Sequence, residues 1–95
     1  MNRVEALDIL VEEIRKYRSA THEQLKRLLT YPETAERLGR SGVLYQVEVH
    51  AVWDSEPDGV LRLFFSVDDQ GWRAFSPLTR CGLVAPGGIF DGEVA

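Results

Sequence analysis

Residues Val43 to Trp53 alternate between two kinds of side chain, and few folds accommodate such a run. Val43, Tyr45, Val47, Val49, Ala51 and Trp53 form one set; Leu44, Gln46, Glu48, His50 and Val52 form the other. Successive side chains of a strand point to opposite faces, so this period of two predicts a strand buried on one face. Val60 to Val67 repeats the pattern, with Leu61, Leu63, Phe65 and Val67 on the apolar side and Arg62, Phe64 and Ser66 opposite. Between the runs, Asp54-Ser-Glu-Pro-Asp-Gly59 has the length and composition of a hairpin loop. Asp68, Asp69, Gln70 and Gly71 predict a second hairpin turn, with Gly71 available for a positive φ. Trp72 to Ser76 then reads as a third strand, and Pro77 ends its ladder or places it at an edge. Beyond Leu78, Leu83–Val84 and Ile89–Phe90 flank Ala-Pro-Gly-Gly, which suits a small fourth strand or a terminal hairpin.

Ahead of the alternating runs the period changes. Val4, Leu7, Leu10, Val11, Ile14 and Tyr17 recur every three or four residues and predict a helix over 2–18 with one apolar stripe. Asn2 and Glu5 have capping-box spacing, and the helix runs from acidic to basic, as its dipole favours. Thr21 and Gln24 repeat the capping spacing before Leu25, Leu28 and Leu29, predicting a second, shorter helix with His22 exposed in its first turn. Pro32 and Gly39 bracket a segment that suits one or two more helical turns, and 39–42 reads as a connector. Helices first and a meander afterwards predict an α+β domain: two N-terminal helices packed on the odd-numbered face of a three- to four-stranded antiparallel meander. One domain spans 1–95, with a helical part over 1–40 and a sheet part over 41–95.

Charge divides the chain in the same way. Residues 1–40 carry eight Lys/Arg against seven Asp/Glu, a net +1; residues 41–95 carry three against eight, a net −5. A phosphate backbone attracts basic surfaces, so no nucleic-acid partner is expected. The single cysteine, Cys81, allows no internal disulfide. No apolar run approaches the ~20 residues of a membrane span, and acids interrupt any signal-like core near the start. The expectation is a cytoplasmic protein with no membrane partner.

Known chemical motifs are missing or incomplete. Asp54 to Gly59 mimics the first half of a calcium loop, but position twelve, which needs a bidentate Glu, is Phe65. His22, His50 and Cys81 are too scattered to suggest zinc. Cys81 could serve as a nucleophile only with His50 or another base beside it. The sequence contains no nucleophile elbow, P-loop or dinucleotide fingerprint. Neither cofactor, metal nor catalytic set is expected.

The segments Leu44–His50, Val52–Asp54, Val67-Asp-Asp-Gln-Gly-Trp-Arg-Ala-Phe-Ser-Pro-Leu-Thr79 and Pro86–Gly88 resemble those of small uncharacterised bacterial proteins grouped as a domain of unknown function. The likeness covers roughly residues 41–93 and is most specific in Asp-Asp-x-Gly-Trp-Arg-Ala-Phe. It implies a bacterial setting and a shared fold, and no activity.

Two functional readings follow. The first is a small acidic protein–protein binding module, in one form an immunity- or antitoxin-like neutraliser of a basic partner. Asp68, Asp69, Trp72 and Arg73 would supply an acid, aromatic and Arg mix of the kind enriched at interfaces. The alternative is a small enzyme or ligand-binding protein that uses Glu48, His50 and Arg62 on the polar sheet face. Homodimerisation through an edge strand is a third possibility, and Pro77 suits its own edge poorly for that purpose.

Overall fold

Four strands form one antiparallel sheet in chain order: β1 (Glu33–Leu38), β2 (Leu44–Trp53), β3 (Leu61–Asp68) and β4 (Leu78–Val84). The structure is a computed structural model and describes residues 2–69 and 77–95. In β2 and β3 the expected alternation holds. Val47 lies opposite Val67, Val49 opposite Phe65 and Ala51 opposite Leu63, and all six are buried. Asp54–Gly59 is the loop between them, with Asp58 at a positive φ of 63° and Asp54 N–H donating to Val60 O.

Helix α1 (Arg3–Lys16) covers the odd-numbered face, packing chiefly on β3. Asn2 caps it by accepting from Glu5 N–H. Its buried line differs from the expected stripe. Leu10, Ile14 and Tyr17 are buried as predicted, but so are Glu5, Ala6, Ile9 and Glu13, while Val4, Leu7 and Val11 are exposed. The stripe is turned because Glu5 has hydrogen-bond donors inside the fold. Glu13 meets Lys16 at 3.0 Å and Arg37 at 3.5 Å. Glu5 accepts from Ser41 N–H, Ser41 Oγ and Tyr45 Oη at 3.0, 2.6 and 2.9 Å. A carboxylate supplied with three donors is accepted in a buried position where an unpaired one would be expelled.

Those donors, led by Ser41, hold the Glu5 carboxyl below its ordinary value near 4.5, with burial opposing them. A group whose pKa is depressed on folding contributes stability that is present above the unfolded value and lost as pH falls through the folded one. Wild type should therefore lose melting temperature as pH drops below about 4.5, and Glu5→Gln should narrow that loss. Melting curves from pH 7 down to about 3 check this. Equal acid slopes in the two proteins would show that Glu5 is not the group responsible.

Two helices packed side by side are not present. The second helix, α2, is only His22–Leu25, followed by a 3₁₀ segment Lys26–Leu29. The reciprocal Thr21–Gln24 capping box is formed as expected. The segment has little room to propagate, because the chain reaches Pro32 and then enters β1 at Glu33. His22 is buried instead of exposed. Its Nε2 donates to Gly59 O at 2.8 Å, and its ring lies 5.8 Å from that of Trp53. It ties α2 to the β2–β3 loop.

The helical turns expected over 32–38 are strand β1, so the helical part of the chain ends earlier than predicted. Glu-Thr-Ala-Glu-Arg-Leu contains good helix formers, but a strand edge offers more. Glu33 to Leu38 lies in unbroken register with Val49 to Leu44 and satisfies the ladder groups on that side of β2. Residues 39–42 are consequently a hairpin turn, closed by Gly39 N–H to Val43 O at 2.8 Å, with Gly42 at φ +88°.

The strand expected at Trp72–Ser76 lies outside the described residues. The strand that pairs with β3 is Leu78–Val84, directly after Pro77. The tail then folds back. Phe90 exchanges backbone hydrogen bonds with Ser19 and Ala20, and Ala95 exchanges two with Cys81 on the outer edge of β4. Phe90 is fully buried over Gly82, where an added Cβ would stand 2.6 Å from the ring.

Candidate functional site

The helices cover one face of the sheet. The other is formed by the even-numbered residues of β1, β2 and β3 together with Thr79, Cys81 and Leu83 of β4, whose register puts them opposite Ser66, Phe64 and Arg62. The rows across this face are Val52–Arg62–Leu83, then His50–Phe64–Cys81, then Thr34–Glu48–Ser66–Thr79, then Glu36–Gln46–Asp68. The polar face expected for Glu48, His50 and Arg62 is therefore real, and its centre is an aromatic pair. The His50 ring stacks on Phe64 at 4.9 Å and 12°.

Glu48 and His50 are brought together. His50 Nδ1 lies 3.4 Å from Glu48 Oε1, yet makes no hydrogen bond. Arg62 turns away from them. Its Nε donates to Asp54 Oδ1 at 2.8 Å and its Nη2 reaches the same oxygen. That carboxylate pushes the Arg62 pKa further up, so the guanidinium remains charged and committed to the hairpin end of the face. Cys81 and His50 stand two strands apart with Phe64 between them. At about 4.8 Å per strand this is a separation of roughly 10 Å, too far for an imidazole to take the thiol proton directly.

Asp68 closes β3 on this same face and is half-buried, as is Asp69 beside it. Both engage neighbouring groups. Trp72 and Arg73, the other half of the expected binding cluster, lie outside the described residues. Asp54 at the far end binds Arg62, and Asp58 lies 3.5 Å from Lys26. Among the described residues, no group of three or more His, Cys, Asp or Glu is arranged to hold a metal ion, and no helix is long and apolar enough to cross a membrane.

Sequence reasoning placed Phe64 on this face without giving it a role. An aromatic among the polar positions of an alternating strand was the available signal. Glu36 was missed because its segment read as helix. With it, the described part of the face and its hairpin end carry Glu36, Glu48, Asp54 and Asp68 against Arg62. No protein-family model matches this chain, and no curated protein or solved structure gives a significant match.

Proposed function

We propose that this chain is a protein-binding module that meets a basic protein partner with the open face of its sheet. The observation that carries the reading is the combination of a four-stranded face that no helix among the described residues covers, an excess of carboxylates on its described part and a stacked His50–Phe64 pair at its centre. Aromatic anchors amid complementary charge are the usual composition of a specific interface. Four strands at ~4.8 Å, with six to ten residues each at ~3.3 Å, present roughly 500 Å² in projection. That is over half of the ~800 Å² each partner gives to a standard interface, before the hairpin loops are added. An immunity- or antitoxin-like neutraliser is the form of binder that this acidity favours, and the lone Cys81 and the resemblance over 41–93 suit a bacterial cytoplasm. Asp68 and Asp69 belong at the interface in this reading, with Trp72 and Arg73, next to them in sequence, as its anchors.

The test is retention of a bacterial protein on the immobilised chain, followed by titration with that protein in purified form. Glu48→Gln/Asp68→Asn should weaken binding at least tenfold and flatten its salt dependence, whereas Glu56→Gln in the loop should leave both unchanged. Equal binding by both variants overturns the reading.

A second reading rests on Glu48 and His50 standing 3.4 Å apart on this face, with His50 as the general base. It predicts that a ligand raises the melting temperature of wild type and not of His50→Ala.

A further inference from the structure

Helix α1 turns apolar residues toward solvent. Val4, Leu7 and Val11 are 74, 40 and 37% exposed, while Glu5 and Glu13 of the same helix are buried. At ~100° per residue, Val4, Asp8, Val11 and Arg15 fall on one line along the helix, with Leu7 beside it. Their spacing of four, three and four residues is that of a seam between two helices. The line points directly away from Ala6, Ile9 and Glu13, which face the sheet. A groove of about 390 Å³ separates it from Leu38 and Arg40 at the β1–β2 turn, and one of about 270 Å³ separates it from the tail at Asp91 and Glu93. A second helix laid on this ridge has room for its side chains on either flank.

Charge along the line changes sign. Asp8 lies in its first half and Arg15 in its second, and Arg18 follows just past the end of the helix. Asp8 meets Arg40 at 3.5 Å, and both remain largely exposed. Arg15 and Arg18 are also exposed, and neither has an ion-pair partner among the described residues. A face with an acid toward one end and cations toward the other is complementary to its own reversed copy.

We infer that α1 packs antiparallel on α1 of a second copy of this chain, with Val11 against the partner's Val11 on the two-fold axis. Asp8 lies three residues before Val11 and Arg15 four residues after it. At ~1.5 Å per residue, Asp8 and the partner's Arg15 therefore stand within about 1.5 Å of the same level. Leu7 comes level with that same Arg15, whose aliphatic stem covers it while the guanidinium pairs with Asp8. The partner's Arg18 comes level with Val4 and covers it in the same way. The two-fold axis makes each contact twice.

The charges select this arrangement. An axis at Leu7 brings Asp8 against the partner's Asp8 and leaves Arg15 beyond the partner's helix. An axis at Arg15 sets Arg15 against Arg15 and strands Val4 and Leu7. A parallel pair puts every like charge together and aligns the two helix dipoles. α1 is about 21 Å long and helices pack 8–10 Å apart, so the seam gives each copy roughly 200 Å² in projection. That is well under the ~800 Å² of a standard interface, so the dimer forms reversibly as concentration rises. α1 covers the side of the sheet away from the acidic open face. The dimer thus carries two open faces pointing apart, and the inference does not depend on what binds there.

Light scattering over a concentration series from micromolar to hundreds of micromolar should show a mass approaching twice 10.7 kDa. Val11→Asp sets two carboxylates together on the axis and should weaken dimerisation at least tenfold with an unchanged far-ultraviolet spectrum. Asp8→Arg and Arg15→Asp should each weaken it, and the double exchange should restore it; a folding defect would not be repaired in this way. In a Cys81→Ser background, Val11→Cys should oxidise to a cross-linked dimer and Glu56→Cys, in the distant β2–β3 loop, should not. A monomeric mass throughout the series overturns the inference. So does a dimer that survives both Val11→Asp and the single charge reversals, or one that cross-links equally through position 56.

Discussion

Phe65→Ala should unfold this domain at a far lower denaturant concentration than wild type, with a loss of about 3–5 kcal/mol. Phe65 is fully buried, with the Tyr17 ring edge-on at 5.7 Å on one side and the Phe90 ring stacked at 5.7 Å on another. It joins three separate parts of the chain: the end of α1, the centre of β3 and the tail. Truncation removes the transfer free energy of the ring and leaves a cavity that a sheet and a helix cannot easily close. For a domain with a typical total of ~5–15 kcal/mol, that is roughly a fifth or more of its stability. At roughly 4–8 °C per kcal/mol, the melting temperature should fall by more than ~10 °C. The informative control is its neighbour. Phe64 points to the open face, where truncation costs a stack on His50 and creates no cavity, so Phe64→Ala should cost about 1 kcal/mol or less. Comparable losses in the two variants would mean that the strand is not buried on one side as described.

Gly39→Ala should be the most damaging small change in the molecule. Gly39 is buried beneath the N-terminal half of α1, and an added Cβ would lie 2.2 Å from Glu5 Oε1 and 2.8 Å from the Tyr45 ring. Neither neighbour has an easy retreat. Tyr45 is fully buried and its hydroxyl, pushed up in pKa by burial and then by the carboxylate, donates to Glu5. Glu5 is held by Ser41 from the same turn. Overpacking of this kind costs about 1–3 kcal/mol, and displacement of Glu5 from its donors would add to that. Gly42→Ala makes a useful comparison, because its strain comes from φ +88° and no atom lies near the new methyl. If Gly39→Ala melts with wild type, Glu5 does not pack against the turn.

The acid at position 5 illustrates where sequence reasoning stopped. Its spacing from Asn2 was legible as a helix start, and the cap is formed. Its burial was not legible, because the partners Ser41 and Tyr45 lie more than thirty residues away and meet it only after the β1–β2 hairpin closes. The same holds for His22, whose acceptor is the carbonyl of Gly59. In the open face, period two was enough to put Glu48, His50, Arg62 and Phe64 on one side. Which of them touch was decided by cross-strand register: Phe64 sits opposite His50 and separates it from Cys81, and Arg62 is drawn to Asp54.

What the amino-acid order determined by itself is local and periodic. The burial of alternate residues in β2 and β3, the hairpin loop at 54–59, the start of α1 and the capping box at Thr21 all follow from spacing within a few residues. What only the tertiary structure decided is where each element found a partner. Glu33–Leu38 has no strong preference between helix and strand, and the unpaired edge of β2 settled it, because unsatisfied backbone groups cost more than the small difference in propensity. Likewise the face that α1 buries was chosen by the donors waiting for Glu5, since a paired carboxylate is tolerated where hydrophobic patterning alone would have placed Val4, Leu7 and Val11.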